Sequence, residues 1–115
     1  MRIRTLSTPG TAERYAAATA EAVEHGRTAV LPNPFRNQAT LALRLNRCGA
    51  LNIALYDLNG RRVRTVYGGA EVGAGLHEFQ LDGRDDRGRP LGSGVFFYRA
   101  QTPDGIRQGR FVILE

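Results

Sequence analysis

A chain of 115 residues favours one domain, with 42% hydrophobic and 23% charged residues, both ordinary for a globular protein. The net charge is +5, and every one of the sixteen basic residues is Arg. Their scatter along the chain favours compositional bias over a nucleic-acid footprint, and the densest patch, Arg61–Arg64, has no interleaved aromatic platform. The single cysteine, Cys48, excludes an internal disulfide and a cysteine-built metal cluster. Its setting, NRCGA, reads as a turn tip with an exposed thiol, an intermolecular disulfide being the alternative. No segment approaches the ~20 apolar residues of a membrane-spanning helix, and the first ten residues lack the apolar stretch of a signal peptide.

The composition changes near Gly26. TAERYAAATAEAVEH (Thr11–His25) is rich in Ala and Glu and free of Gly and Pro, which predicts a short helix capped by Thr11 and ended at Gly26. Residues 1–27 are therefore expected to form a helical extension or linker, and 28–115 the main domain. The apolar side of that helix is thin, so it is expected to dock on the domain, on a neighbouring subunit or on another domain. A homo-oligomer joined through it is one such arrangement.

Pro32-Asn33-Pro34-Phe35 follows. Proline is tolerated at the start of a strand or on an edge, where it leaves no ladder hydrogen bond unmade. This segment is read as a rigid lead-in, with Asn33 bonding to backbone and Phe35 turned into the core. From there the hydrophobic period is two. Leu41, Leu43 and Leu45 share one face and leave Ala42 and Arg44 on the other; Leu51, Ile53 and Leu55 repeat the pattern. Asn59-Gly60 marks a tight hairpin, and RRVRTVY is its return strand with a solvated Arg face. GGAEVGAG (Gly68–Gly75) reads as a loop. LHEFQLDG, VFFYRAQ and RQGRFVIL complete about seven strands, the last two joined across Pro103-Asp104-Gly105. Short strands separated by turn signals are the pattern of a two-sheet antiparallel sandwich.

The stretches LPNPF, ATLALRL, LNIALYDLNGRRVRTV, GLHEFQLDGRDDRGRPLGSGVFFYRA and GRFVIL, in this order, resemble the Ig-like domain of flagellar hook-capping proteins and the related C-terminal sorting domain of type IX secretion substrates. The likeness runs from about Ala29 to Leu114. It implies an all-β, seven-stranded antiparallel Ig-like β-sandwich preceded by the short helical extension. It also implies a non-catalytic module for assembly, anchoring or secretion sorting, whose partners are protein subunits or surface machinery. Such a domain is extracellular or at the cell surface as part of a larger exported protein; a chain complete as it stands would be cytoplasmic. The structural positions of the pattern here are Pro32, Asn33, Pro34, Phe35, Tyr56, Asp57, Asn59, Gly60, Gly83, Gly88, Gly94 and Tyr98. The chain has Leu81 before Asp82-Gly83, where the family often has Trp.

Chemistry has few candidates. Asp82, Asp85 and Asp86 are the one acidic cluster and the only candidates for Ca²⁺, but the spacing is not that of an EF-hand. Arg84, Arg87 and Arg89 neutralise it, so a structural turn with Asp side chains on turn amides is the simpler reading. His25 and His77 are the only histidines, and LGSGV lacks the first Gly of a nucleophile elbow. No cofactor is expected. Phe96-Phe97-Tyr98 places aromatics on both faces of one strand. One face is core; the other is either covered by a loop or open to a partner or to sugar stacking. A carbohydrate- or Ca²⁺-binding module is thus the second functional expectation.

Overall fold

The computed structural model describes residues 28–114, and these form seven strands in two antiparallel sheets. They are β1 (Ala29–Leu31), β2 (Ala39–Leu45), β3 (Gly49–Tyr56), β4 (Arg62–Val72), β5 (Gly75–Leu81), β6 (Gly94–Thr102) and β7 (Gly105–Ile113). One sheet has the order β1-β2-β5 and the other β4-β3-β6-β7. Among the described residues no helix is present, and none could cross a membrane. The helix expected over Thr11–His25 lies outside the described residues.

Alternation makes the core. Leu41, Leu43 and Leu45 from β2, Leu51, Ile53 and Leu55 from β3, and Phe96, Tyr98 and Ala100 from β6 all face inward and are buried. Phe111 lies between Phe35 and Phe96, with ring centroids 5.9 and 6.0 Å away. Offset aromatic pairs at these distances favour a fixed packing beyond the area they bury.

Ala42, on the face opposite the β2 leucines, is buried as well: β2 is the central strand of its sheet, and Ala42 is flanked by Ala29 and Glu78. One local expectation needs correction: the stretch expected as a loop, Gly68–Gly75, is mostly strand. β4 continues to Val72 and pairs with β3 as far as Gly49, leaving only Gly73-Ala74 between β4 and β5. A register shift between Ala50 and Asn52 absorbs the extra residue, and Gly69 supplies the positive φ (91°) at that bulge.

The Pro32–Phe35 segment carries the chain from one sheet to the other. β1 pairs with β2, whereas Phe35 bridges Ile113 of β7 in parallel. Phe35 N donates to Val112 O (3.0 Å), Leu114 N donates to Phe35 O (2.8 Å), and Val112 N donates to Asn33 Oδ1 (2.9 Å). The Phe35 ring is 2% exposed. Both Leu31-Pro32 and Asn33-Pro34 are cis peptides.

Candidate functional site

Two turns of one design shape the ends of the sandwich. Each follows the spacing Asp-x-x-Gly-Arg, at Asp57–Arg61 and at Asp85–Arg89. In both, the Asp N–H donates to the Arg carbonyl (3.0 and 2.8 Å) and the Gly N–H donates to the Asp carbonyl (3.0 and 2.9 Å). In both, Asp Oδ1 accepts from the amides two and four residues on, at 2.9 and 3.0 Å in the first turn and 2.9 and 2.9 Å in the second. Gly60 and Gly88 have φ of 81° and 82°, a region that an L side chain rarely adopts. The Arg then returns to its own Asp, with Nε–Oδ2 distances of 3.5 and 3.2 Å. The amides of Arg61 and Arg89 chiefly hold the two carboxyls below their ordinary value of 3.8. Neither turn needs a ligand to be complete.

The second turn tips a small hairpin, Asp82–Pro90, that docks on the edge of β4. Arg64 is the clamp. Its Nη1 reaches Asp82 Oδ1 (3.3 Å), Arg84 O (3.2 Å) and Asp85 O (3.1 Å). Asp86 completes the seam: its N–H donates to Val63 O (3.1 Å), and its Oδ1 accepts from Thr65 N (3.0 Å). Asp82 Oδ1 also accepts from Arg84 N (3.1 Å). The three carboxylates considered for Ca²⁺ are therefore already engaged: Asp85 by two turn amides and Arg89, and Asp82 and Asp86 each by one amide and by Arg64, which they share. Among the described residues no three His, Cys, Asp or Glu side chains converge as a metal site. Arg64, expected on a solvated face, is instead a hairpin anchor; its separation from Asp82 in sequence hid that role.

The other positions of the pattern fall into the core or its rim. The ring of Tyr98 lies over Gly109 on the neighbouring strand, and its hydroxyl donates to Thr28 O at 3.1 Å. Burial pushes this phenol above its ordinary value of 10.0. Gly83 lies against the Phe35 ring and Gly94 against Phe96, at 3.9 and 3.7 Å from where a Cβ would stand. His77 Nε2 donates to Gly73 O at 2.7 Å, which ties the ring to the turn between β4 and β5. Cys48 is an exposed thiol.

The outer face of the four-stranded sheet carries what the core pattern does not explain. Tyr56, Phe97 and Arg110 stand in one row across β3, β6 and β7, with Arg62 beside Tyr56 on β4. Among the described residues no loop covers Phe97, which is 37% exposed, and Leu58 at the hairpin tip is 69% exposed. Tyr56, Leu58, Phe97, Arg99, Gln108 and Arg110 line a shallow groove of about 680 Å³. The sequence signal for it was the double-faced Phe96-Phe97-Tyr98; the register that adds Tyr56 and Arg110 has no local signature.

The family described as the FlgD Ig-like domain matches residues 35–105. Among solved structures, dimeric latent PorU from Porphyromonas gingivalis is 21% identical with a TM-score of 0.59, the match covering 76% of this chain and 9% of that one. PorZ, a surface component of the type IX secretion system of the same organism, is 21% identical with a TM-score of 0.55, covering 86% of this chain and 13% of that one. FlgD from P. aeruginosa is 21% identical with a TM-score of 0.53, covering 76% of this chain and 74% of that one. These likenesses establish a shared fold; the chain spans only a small part of the two Porphyromonas proteins. No curated protein matches.

Proposed function

The chain belongs to the FlgD Ig-like domain family, and from that premise we propose that it is a non-catalytic assembly or anchoring module acting outside the cytoplasm through contacts with other proteins. The observation that carries this reading is the family match over residues 35–105. The chemistry of the turns supports it. The acidic loop spends its carboxylates on turn amides and on Arg64 and Arg89, so its role is to hold the fold. PorU, PorZ and FlgD have the same fold, and PorZ is a bacterial surface component of a secretion system. An exported or surface location for this protein follows from the same reading, which requires no cofactor.

The exposed thiol of Cys48 allows a direct test. A bulky maleimide that cannot cross membranes, applied to intact cells of the native host, is expected to label the protein through Cys48. The Cys48→Ser variant serves as the control for any other thiol. The labelled protein is also expected to migrate on a native gel in a complex heavier than its own mass. A protein labelled only after lysis and migrating as a monomer would overturn the proposal.

A further inference from the structure

Each edge of the four-stranded sheet is bonded over part of its length. That of β4 is held at Val63–Thr65 by the Asp82–Pro90 hairpin, through Arg64 and Asp86. The edge of β7 is bonded at its C-terminal end, where Val112 meets Asn33 and Phe35. Backbone groups alternate in direction along a strand. The N–H and C=O of Ile106, Gln108 and Arg110 therefore point the same way as those of Val112. Among the described residues they meet no hydrogen-bond partner. An open edge of this kind is a template for another strand.

The groove lies against this edge, and Gln108 and Arg110 belong to both. Arg99 and Arg110 form no ion pair among the described residues. The one carboxylate lining the groove, Asp57, is already held by Arg61 and two turn amides. The surface thus presents two unpaired guanidinium groups, an exposed phenylalanine and a row of unpaired backbone groups. Strand spacing is ~4.8 Å, so a strand added beside β7 lies about 10 Å from β6. Its outward side chains stand opposite Arg110 and Gln108, with Arg99 beside Gln108 on β6.

We propose that the free edge of β7, from Ile106 to Arg110, together with the groove beside it, binds an extended acidic segment of a partner protein as an added strand. The proposal rests on the reading of the domain as an assembly module and names the surface and chemistry by which it would assemble. Main-chain hydrogen bonds to Ile106, Gln108 and Arg110 supply affinity, and carboxylates facing Arg110 and Arg99 select the partner and its register. A peptide strand fits these observations because its backbone alternates donor and acceptor as the open edge does.

The test is a titration of the isotopically labelled 115-residue protein with a twelve-residue peptide alternating Glu with Val and Phe, and with a twin carrying Lys in place of Glu. The Glu peptide is expected to give saturable amide shifts confined to Phe97–Arg110 and its strand neighbours. It is also expected to slow hydrogen exchange at Ile106, Gln108 and Arg110, and to bind less tightly as salt rises. The Lys twin should not bind. The double variant R99E/R110E should bind the Glu peptide about tenfold more weakly or worse, whereas Arg87→Glu, on the far turn, should bind normally. Gln108→Pro removes one outward N–H and should abolish binding; should that variant unfold, N-methylating alternate residues of the peptide tests the same bonds. The proposal is overturned by equal binding of the Lys twin, by shifts on another face, or by indifference to R99E/R110E. It is equally overturned by the absence of saturable shifts at millimolar peptide, or by light scattering that finds the edge closed by a second copy of the chain. Surface labelling of Cys48 and migration in a heavy complex, with a failed titration, would remove this surface alone and leave the assembly reading standing; a failure of labelling with successful titration would do the reverse.

Discussion

Replacing Gly109 by Ala sets two effects of opposite sign against each other. In a strand, Ala ordinarily gains about 0.5–1 kcal/mol over Gly, because the unfolded chain loses less freedom. Here the added Cβ would stand 2.5 Å from Tyr98 Oη, 2.7 Å from Cζ and 2.8 Å from Cε2. The ring cannot simply swing away: Tyr98 is buried, and its hydroxyl is bonded to Thr28 O. Displacing it forfeits about 0.5–1.5 kcal/mol for the hydrogen bond and about 1–3 kcal/mol for overpacking. The steric effect wins, and Gly109→Ala should destabilise by about 0.5–4 kcal/mol net. In a domain of this size that lowers the melting temperature by roughly 2–32 °C. Thermal melts followed by circular dichroism would measure it, with Tyr98→Leu as the second arm of a double-mutant cycle. Leu lacks all three crowded atoms, so Gly109→Ala in that background should be neutral or stabilising. A single variant that melts at or above the wild type, or a cycle that is additive, would refute the reasoning.

Phe35→Ala empties a site stacked on Phe111 and should cost ~3–5 kcal/mol in urea unfolding, enough to threaten a domain of ordinary stability. Asp57 and Asp85 both titrate below 3.8 in the folded state, so their contribution is present above that pH and is lost as pH falls through the lower folded values. The gap in urea midpoint between wild type and the D57N/D85N double variant should be constant from about pH 7 to 5 and should narrow steadily below about pH 4; a gap independent of pH would mean that the charges contribute nothing. Arg64→Ala removes three contacts from the Asp82–Pro90 hairpin, and hydrogen exchange at Thr65 and Asp86 should quicken while exchange in β6 stays slow. Equal protection at all these amides would show that the hairpin needs no clamp.

The sandwich was legible wherever one strand face is buried, because burial on one side writes a period of two into the sequence. Leu41-x-Leu43-x-Leu45 and Leu51-x-Ile53-x-Leu55 are read without ambiguity, and all are core; Phe96-Phe97-Tyr98, aromatic on both faces, leaves the core face open in the sequence, and the structure buries Phe96 and Tyr98. Gly68–Val72 was not legible, since two glycines look like a loop until β3 is seen pairing with them, and that partner lies far along the chain. The acidic loop was read as a turn with carboxylates on amides, which local spacing does encode. Its repetition was also in plain view, as Asp-x-x-Gly-Arg at two positions. The docking of that loop on Arg64 was not, because the contact spans eighteen or more residues and an Arg in a polar strand ordinarily reads as solvated. The groove depends on register: nothing near Tyr56, Phe97 or Arg110 announces that they share a row.

The edges tie these observations together. A sandwich has four, and an exposed edge invites pairing with any strand. Here β1 is three residues long, β5 is the other edge of its sheet, β4 is held at Val63–Thr65 by the clamped hairpin, and β7 is bonded at one end by Asn33 and Phe35. What stays open on β7 is not neutral ground. A second copy of the chain seated there would bring its own Arg99 and Arg110 to the seam, and like charges across adjacent strands are destabilising. An acidic segment meets no such penalty and pairs guanidinium groups that otherwise have no counter-charge among the described residues. The same arginines therefore discourage self-association and admit one class of partner, which is how a small domain can leave a strand edge open without joining to itself.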